Sequence, residues 1–398
     1  MDEITTLLTR GVDSIYPSRE ALEKVLRSGK KIKLYQGFDP TGTQLHIGHA
    51  VGFRKLRQFQ DLGHEVIFLI GDGTGQAGDP SGKKRSREKY LTNEELRQNG
   101  RDYVMQSAKI MRFDGPNPVR ILYNGDWLNK LSLVDILNIA EHFSLQQMLE
   151  RDLYQERLKS GTDVNLREFF YPLLQGYDSV AMQVDLELGG TDQTFNMLAG
   201  RKLVKAYLNK EKFVMTVPLL TDSKGTKIGK SEGNVIGLTD EPNDFFGKIM
   251  SLGDDAIVNC FTLLTDKSME EIEAIKKAMI QGENPMIFKK QLAWELTSQL
   301  NSPTAATGAQ DFFEKTFQQR DLSNVNEFPL EQLTQNPISI LDLLIETNSA
   351  TSKSEARRLI EQNAVEVDQT TVDLVQTNVT LKPGMTMRVG KKKFLRFV

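Results

Sequence analysis

A single cysteine, Cys260, among 398 residues excludes an internal disulfide and any zinc site built from several thiolates. It is expected to be a small core side chain. Long apolar runs are missing too: none approaches the roughly 18 residues needed to cross a membrane. The start, Met1-Asp-Glu-Ile, has no basic region leading into an apolar stretch. A cytoplasmic protein without membrane contact is the default expectation. Charge of one sign is not in excess either, and a net charge of -3 gives no whole-chain signal for nucleic acid. What remains, with 39% hydrophobic and 26% charged residues, is an ordinary globular composition, long enough for two or three domains with substantial cores.

The first third alternates strand and helix patterns. Lys31-Ile-Lys-Leu-Tyr35 reads as a strand, and Phe53, Leu56, Phe59 and Leu62 recur at helical spacing before a stop at Gly63. Val66-Ile-Phe-Leu-Ile70 is a short, branched run suited to a buried parallel strand. Residues 85–118 are polar and basic, consistent with a helical insertion placed at about 85–165. Strands at Val119–Tyr123, Val184–Leu188 and Phe213–Val217, with helical segments between them, complete a doubly wound, Rossmann-like α/β domain over 1–235. Such a domain binds ligands at the carboxyl ends of its strands. Beyond it, 236–320 reads as an all-α domain, from helical patterns at 242–251, 254–264, 268–280 and 287–300. Residues 321–337 resemble a linker, and 338–398 form a small α+β unit. There Ser352-Lys-Ser-Glu355 reads as a capping box, with Ala356, Leu359 and Ile360 on an apolar helix face and Arg357 and Arg358 elsewhere. Nine Lys/Arg against seven Asp/Glu in this unit suit an RNA footprint, and equally a solvated surface.

Two short motifs carry the chemistry. His46-Ile-Gly-His49 follows a strand and opens a helix, where exposed N–H groups and the helix dipole favour a polyphosphate. Lys227-Ile-Gly-Lys-Ser231, about 180 residues on, brings two lysines and a hydroxyl on a glycine-containing loop. Their pairing places positive charge and donors on both sides of a triphosphate, as activation of a carboxylate by ATP requires. Three decoys fall away. Gly73-Thr-Gly-Gln-Ala-Gly78 matches a dinucleotide fingerprint, but Asp79-Pro-Ser-Gly-Lys83 breaks the helix that fold needs. Gly225-Thr-Lys-Ile-Gly-Lys-Ser231 is one residue short of a phosphate loop. His46 and His49 lack a further ligand at useful spacing, so no structural metal held by the protein is expected.

The surrounding residues bring in a family. Tyr35-Gln-Gly-Phe-Asp-Pro-Thr-Gly-Thr-Gln-Leu-His-Ile-Gly-His49, Gly71-Asp-Gly-Thr-Gly-Gln-Ala-Gly-Asp-Pro-Ser-Gly-Lys83, Tyr171-Pro-Leu-Leu-Gln-Gly-Tyr-Asp178, Gly189-Gly-Thr-Asp-Gln193 and the lysine loop resemble, in order, the motifs of class I tyrosyl-tRNA synthetases. The terminal unit resembles their S4-type RNA-binding domain, and Glu187 before the paired glycines resembles the second bacterial subtype.

That resemblance implies a tyrosine–tRNA ligase acting on L-tyrosine, ATP with Mg²⁺, and tRNA(Tyr), as a homodimer. Thr41, His46, His49, Lys83, Arg87, Lys227, Lys230 and Ser231 would act on the phosphates. Tyr35 and Asp178 would meet the substrate phenol, with Asp79, Tyr171 and Gln175 on its ammonium. Gly37, Asp39, Gly48, Gly190, Asp192 and Gln193 would shape the nucleotide pocket, and the helical domain would bind the anticodon region. Gln36, Glu187 and the glycine at the centre of the lysine loop depart from the commonest patterns. An enzyme for tryptophan or another aromatic amino acid, and an RNA-binding module without activity, are the rival readings.

Overall fold

Residues 2–81, 90–222, 225–228, 230–231, 234–318, 326–368, 370–390 and 393–398 are described by a computed structural model. The chain divides into two compact units, Met1–Glu241 with Lys248–Ser302, and Pro242–Gly247 with Pro303–Val398. The boundaries expected at 235, 320 and 337 fall inside these units.

The first unit is built on a six-stranded sheet: β1 (Ser14–Tyr16), β2 (Lys33–Phe38), β3 (Glu65–Ile70), β4 (Arg120–Tyr123), β5 (Leu186–Gly190) and β6 (Phe213–Val217), in the order β1-β6-β5-β2-β3-β4. β2 to β6 run parallel, as the alternating pattern implies, and β1, for which the sequence carried no expectation, closes the edge antiparallel to β6. The chain leaves β2 toward β3 and β4, then returns to the other side of β2 for β5 and β6. Strand order therefore reverses between β2 and β5, the place where open α/β sheets hold ligands.

The helix Ile47–Asp61 follows β2 directly. Its Phe53, Leu56 and Phe59 are fully buried, which accounts for the spacing seen in the sequence, and Gly63 at φ +80° turns the chain into β3. The expected insertion contains the helices Asn93–Ser107, Leu133–Ala140, Leu145–Leu149 and Asp152–Lys159, interrupted by β4. The helix Leu166–Met182 then packs on the helix Thr194–Leu208. At their crossing, a Cβ on Gly176 would lie 3.2 Å from the backbone nitrogen of Gly200. Further on come Pro242–Met250, Ile257–Leu264, Met269–Ile280 and Pro285–Leu300, close to the helical patterns read from sequence, and an additional helix, Pro303–Phe313. Cys260 is fully buried, and burial pushes its thiol up to about 12, so it is an inert core side chain.

In the second unit, five short strands are ordered Thr370–Thr371, Val365–Val367, Thr386–Val389, Lys393–Phe397, Asn326–Phe328. They enclose a core with the helices Ile340–Glu346 and Lys353–Glu361. Two sequence expectations are corrected here. Asn326–Phe328, placed in the linker, pairs in parallel with the terminal strand. The capping box is only half formed: Ser352 Oγ accepts from the Glu355 N–H, but the Glu355 carboxylate accepts from the N–H and hydroxyl of Thr351. One residue earlier offers it two donors where Ser352 would offer one.

Candidate active site

A cavity of about 570 Å³ opens at the carboxyl ends of the parallel strands. Of the residues singled out from sequence, Tyr35, Gly37, Asp39, Thr41, His46, Gly48, His49, Asp79, Tyr171, Gln175, Asp178, Gly190, Asp192, Gln193 and Lys227 all lie on its wall. Lys83 and Arg87 fall outside the described residues. Lys230 and Ser231 pair in a two-stranded ribbon with Asn234–Val235, and of their side chains nothing is described.

The two opening motifs meet. The segment after the lysine loop binds the start of the helix Ile47–Asp61, with Ile47 N–H donating to Ile236 C=O at 3.0 Å and Leu238 N–H to Leu45 C=O at 3.0 Å. His46 is the N-cap: its Nδ1 accepts from Gly48 N–H at 3.1 Å, and its own N–H donates to His49 Nδ1 at 3.1 Å. A ring nitrogen that accepts from an N–H carries no proton, so Nε2 is the donor of each imidazole. A Cβ at position 48 would sit 2.9 Å from the His46 ring and 3.6 Å from the Ile228 carbonyl, so the glycine lets the helix start and the lysine loop approach closely. Lys227 donates to Asp192 at 3.0 Å and is the one lysine or arginine among the described lining residues.

Elsewhere the wall is acidic, with Asp39, Asp79, Asp178, Glu187 and Asp192, a lining that favours a cationic group. Asp79 accepts from Gln193 Nε2 at 2.8 Å and from the Ser81 N–H at 2.9 Å. Asp39 accepts from Thr74 Oγ1 at 2.7 Å, and a Cβ on Gly71 would lie 2.0 Å from Asp39 Oδ1, which explains the glycine at the end of β3. Burial first, then the nearby Asp39 and Asp79, push the Tyr171 phenol well above its ordinary range.

The innermost wall is Tyr35 and Asp178, 0 and 1% exposed. Asp178 Oδ1 accepts from Trp127 Nε1 at 2.8 Å and Oδ2 from Asn124 Nδ2 at 2.9 Å. Burial raises its carboxyl well above the usual range, and these two donors offset only part of that rise. Tyr35 OH lies 2.9 Å from Ser179 Oγ. Ser179 in turn accepts from Lys212 Nζ at 2.7 Å and donates to Glu187 Oε2 at 3.3 Å. With its one proton given to Glu187, Ser179 can only accept from Tyr35, so the Tyr35 oxygen faces the cavity as an acceptor. Burial, then Glu187 and Asp178, hold the Tyr35 phenol protonated, well above its ordinary range.

Sequence reasoning missed Asn124, Trp127, Ser179 and Lys212. Asn124 was findable, because it directly follows β4 at the carboxyl edge of the sheet. Its Oδ1 accepts from the N–H groups of Gly73 and Thr74 at 2.8 and 3.3 Å. The glycines of the dinucleotide decoy thus spend their donors inside the protein.

A family model for class I tRNA synthetases (W and Y) matches residues 27–318. The chain belongs to this family. A second model, the tyrosine–tRNA ligase SYY-like C-terminal domain, matches residues 321–397 of this class I synthetase. Its relatives include a tyrosine–tRNA ligase of Thermotoga maritima, 40% identical over 99% of this chain and 97% of the relative. Another is the tyrosine–tRNA ligase 2 of Pseudoalteromonas translucida, 43% identical over 99% and 98%. Among solved structures, a C-terminally truncated mitochondrial tyrosyl-tRNA synthetase of Coccidioides posadasii is 25% identical. It superposes with a TM-score of 0.63 over 78% of this chain and 92% of that one.

Proposed function

We propose that this class I synthetase is a tyrosine–tRNA ligase, which activates L-tyrosine with ATP and transfers the tyrosyl group to the 3′-terminal adenosine of tRNA(Tyr). The observation that carries the choice of amino acid is the buried acceptor pair Tyr35 and Asp178 at the inner end of an acidic cavity. Such a pair is costly to bury unless a phenol O–H reaches it. A site built this way rejects the analogue that lacks the hydroxyl, and tyrosyl-tRNA synthetases are themselves the standard illustration of that rule.

In the first step an oxygen of the tyrosine carboxylate attacks the α-phosphorus of ATP, and the bond to diphosphate breaks. In the second a ribose hydroxyl of the tRNA attacks the carbonyl of tyrosyl-adenylate and AMP leaves. No enzyme nucleophile is needed, so catalysis is positioning and charge stabilisation. Asp79, Tyr171 and Gln175 hold the ammonium. The Nε2–H groups of His46 and His49, with Thr41 and Lys227, are assigned to the phosphates, and the family resemblance assigns the same role to Lys83, Arg87, Lys230 and Ser231. Gly37, Asp39, Gly48, Gly190, Asp192 and Gln193 form the nucleotide's surroundings. Mg²⁺ enters as part of the ATP substrate, ligated chiefly by phosphate oxygens and water.

The second unit is assigned to tRNA, where the helix Lys353–Glu361 exposes Arg357 and Arg358, with the helical segment after 236 assigned to the anticodon region. A homodimer is supported by the helix Leu133–Ala140, whose Leu133, Val134 and Leu137 are 72, 63 and 58% exposed, more apolar surface on one helix than a lone subunit ordinarily shows to water. Among the described residues no helix is long and apolar enough to cross a membrane, and a cytoplasmic location is proposed. Diphosphate exchange into ATP, run with each of the twenty amino acids, is the test. Exchange is expected with tyrosine alone; exchange driven by tryptophan, or none with folded protein, refutes the assignment.

A further inference from the structure

Glu187 and Lys212 are 1 and 0% exposed, and they form an ion pair between the ends of neighbouring strands. Burying such a pair rarely adds stability over a well-packed apolar one, so its presence behind the cavity calls for another explanation. The fold makes room for it deliberately: a Cβ on Gly200 would fall 2.5 Å from Lys212 Nζ and 3.2 Å from Glu187 Oε2. Lys212 spends its donors on Glu187, on Ser179 Oγ and, at 3.3 Å, on the Met197 carbonyl. Lys212 itself is not on the cavity wall, whereas Glu187 and Met197 are.

Gln175 is on that wall too. Glu187 Oε1 accepts from Gln175 Nε2 at 2.9 Å. An ionised carboxylate has no proton to give, so it can face only the NH₂ side of that amide. The other side, Gln175 Oε1, is buried without a hydrogen-bond partner among the described atoms, and Gln175 lies on the cavity wall. Lys212 is what keeps Glu187 in this role. Without it the carboxylate would be a buried charge with no counter-ion.

We propose that the buried Lys212–Glu187 pair is a positioning device for the amino acid: by holding the NH₂ of Gln175, it obliges Gln175 to offer its carbonyl oxygen to the substrate ammonium. This rests on reading the cavity as a tyrosine site. Toward the ammonium, Glu187 and Lys212 are thus positioning residues, acting through Gln175.

The test is calorimetric titration of the full chain with three probes: L-tyrosine, tyramine, which keeps the ammonium, and 3-(4-hydroxyphenyl)propionate, which lacks it. Glu187→Gln permits the Gln175 amide to invert and point NH₂ at the ammonium. Affinity for tyrosine and tyramine is then expected to fall together by about 10- to 150-fold, the range for a hydrogen bond to a charged group, with the propionate within about twofold of wild type. Because Glu187→Gln strands the Lys212 charge, the double variant Glu187→Gln/Lys212→Met is measured beside it, and the same selective loss is expected. In a Gln175→Met background, Glu187→Gln should bring no further loss of tyrosine affinity. An equal loss of all three probes in both variants, or no loss, overturns the proposal. If the wild-type protein binds neither tyrosine nor tyramine, the tyrosine-site reading itself fails, and the proposal with it.

Discussion

Asp178→Asn is the substitution whose cost can be worked from the geometry. Each carboxylate oxygen takes one donor, Trp127 Nε1 on Oδ1 and Asn124 Nδ2 on Oδ2. Neither donor can reverse. An indole N–H only donates, and the Asn124 amide is locked because its Oδ1 accepts from Gly73 and Thr74 while its Nδ2 also reaches Thr74 Oγ1. An asparagine can therefore satisfy one of the two, and its NH₂ must face the other N–H. That leaves buried donors opposed, at about 1–3 kcal/mol of stability, or a few degrees in Tm. The effect on substrate is separate. Turning the NH₂ of the new amide toward the phenol takes away a bond to a charged acceptor worth about 1.5–3 kcal/mol, so kcat/KM for tyrosine in diphosphate exchange should fall roughly 10- to 150-fold. The KM for ATP, measured at saturating tyrosine, should stay within about twofold. Preference for tyrosine over phenylalanine should narrow, since phenylalanine never made the bond. Equal losses for tyrosine and ATP would refute the assigned role. So would a fall of less than about threefold, which would mean that Asp178 meets the phenol as a protonated acid.

Three further outcomes are expected. Gly176→Ala puts a Cβ 3.2 Å from the Gly200 nitrogen and 2.9 Å from Leu203 Cδ1 at the helix crossing; it should cost about 1–3 kcal/mol, and an unchanged thermal midpoint by circular dichroism would contradict that contact. His64, whose Nδ1 accepts from Ile32 N–H at 3.3 Å, is lowered from 6.5 to about 4, by burial first and then by Lys31. Between those values the unfolded chain binds a proton that the folded one does not, so stability falls as pH drops from about 6.5 to about 4, by at most about 3 kcal/mol. Urea midpoints at pH 7 and 5 should therefore separate more for wild type than for His64→Gln, and equal separations would refute it. Leu137→Glu should convert a dimer into monomers in sedimentation velocity, and a wild-type protein that already runs as a monomer would remove the proposed interface.

The sequence disclosed what depends on neighbours along the chain and concealed what depends on neighbours across the sheet. Val66–Ile70, the helix after His46 and the paired glycines of β5 were legible because burial on both faces, a helical repeat and a tight approach each leave a local mark. Fifteen candidate site residues on one cavity wall follow from the same logic, since strand ends in a parallel sheet converge on one edge. The Ser352 cap was half misread because Glu355 had a choice of donors one residue apart, which a spacing rule cannot rank. The polar network behind the cavity leaves no such mark. Glu187 and Lys212 are 25 residues apart and meet only because β5 pairs with β6, and Asn124 reaches Asp178 across 54 residues, from just past the end of β4 to the inside of the helix Leu166–Met182. A sequence can show that a glutamine stands at position 175; which face of its amide meets the substrate is decided by a carboxylate on another strand and a lysine beyond it. Specificity in this site is thus a property of proton bookkeeping among buried groups: Ser179 gives its proton to Glu187, Tyr35 gives its own to Ser179, and Gln175 is left with an oxygen to spare.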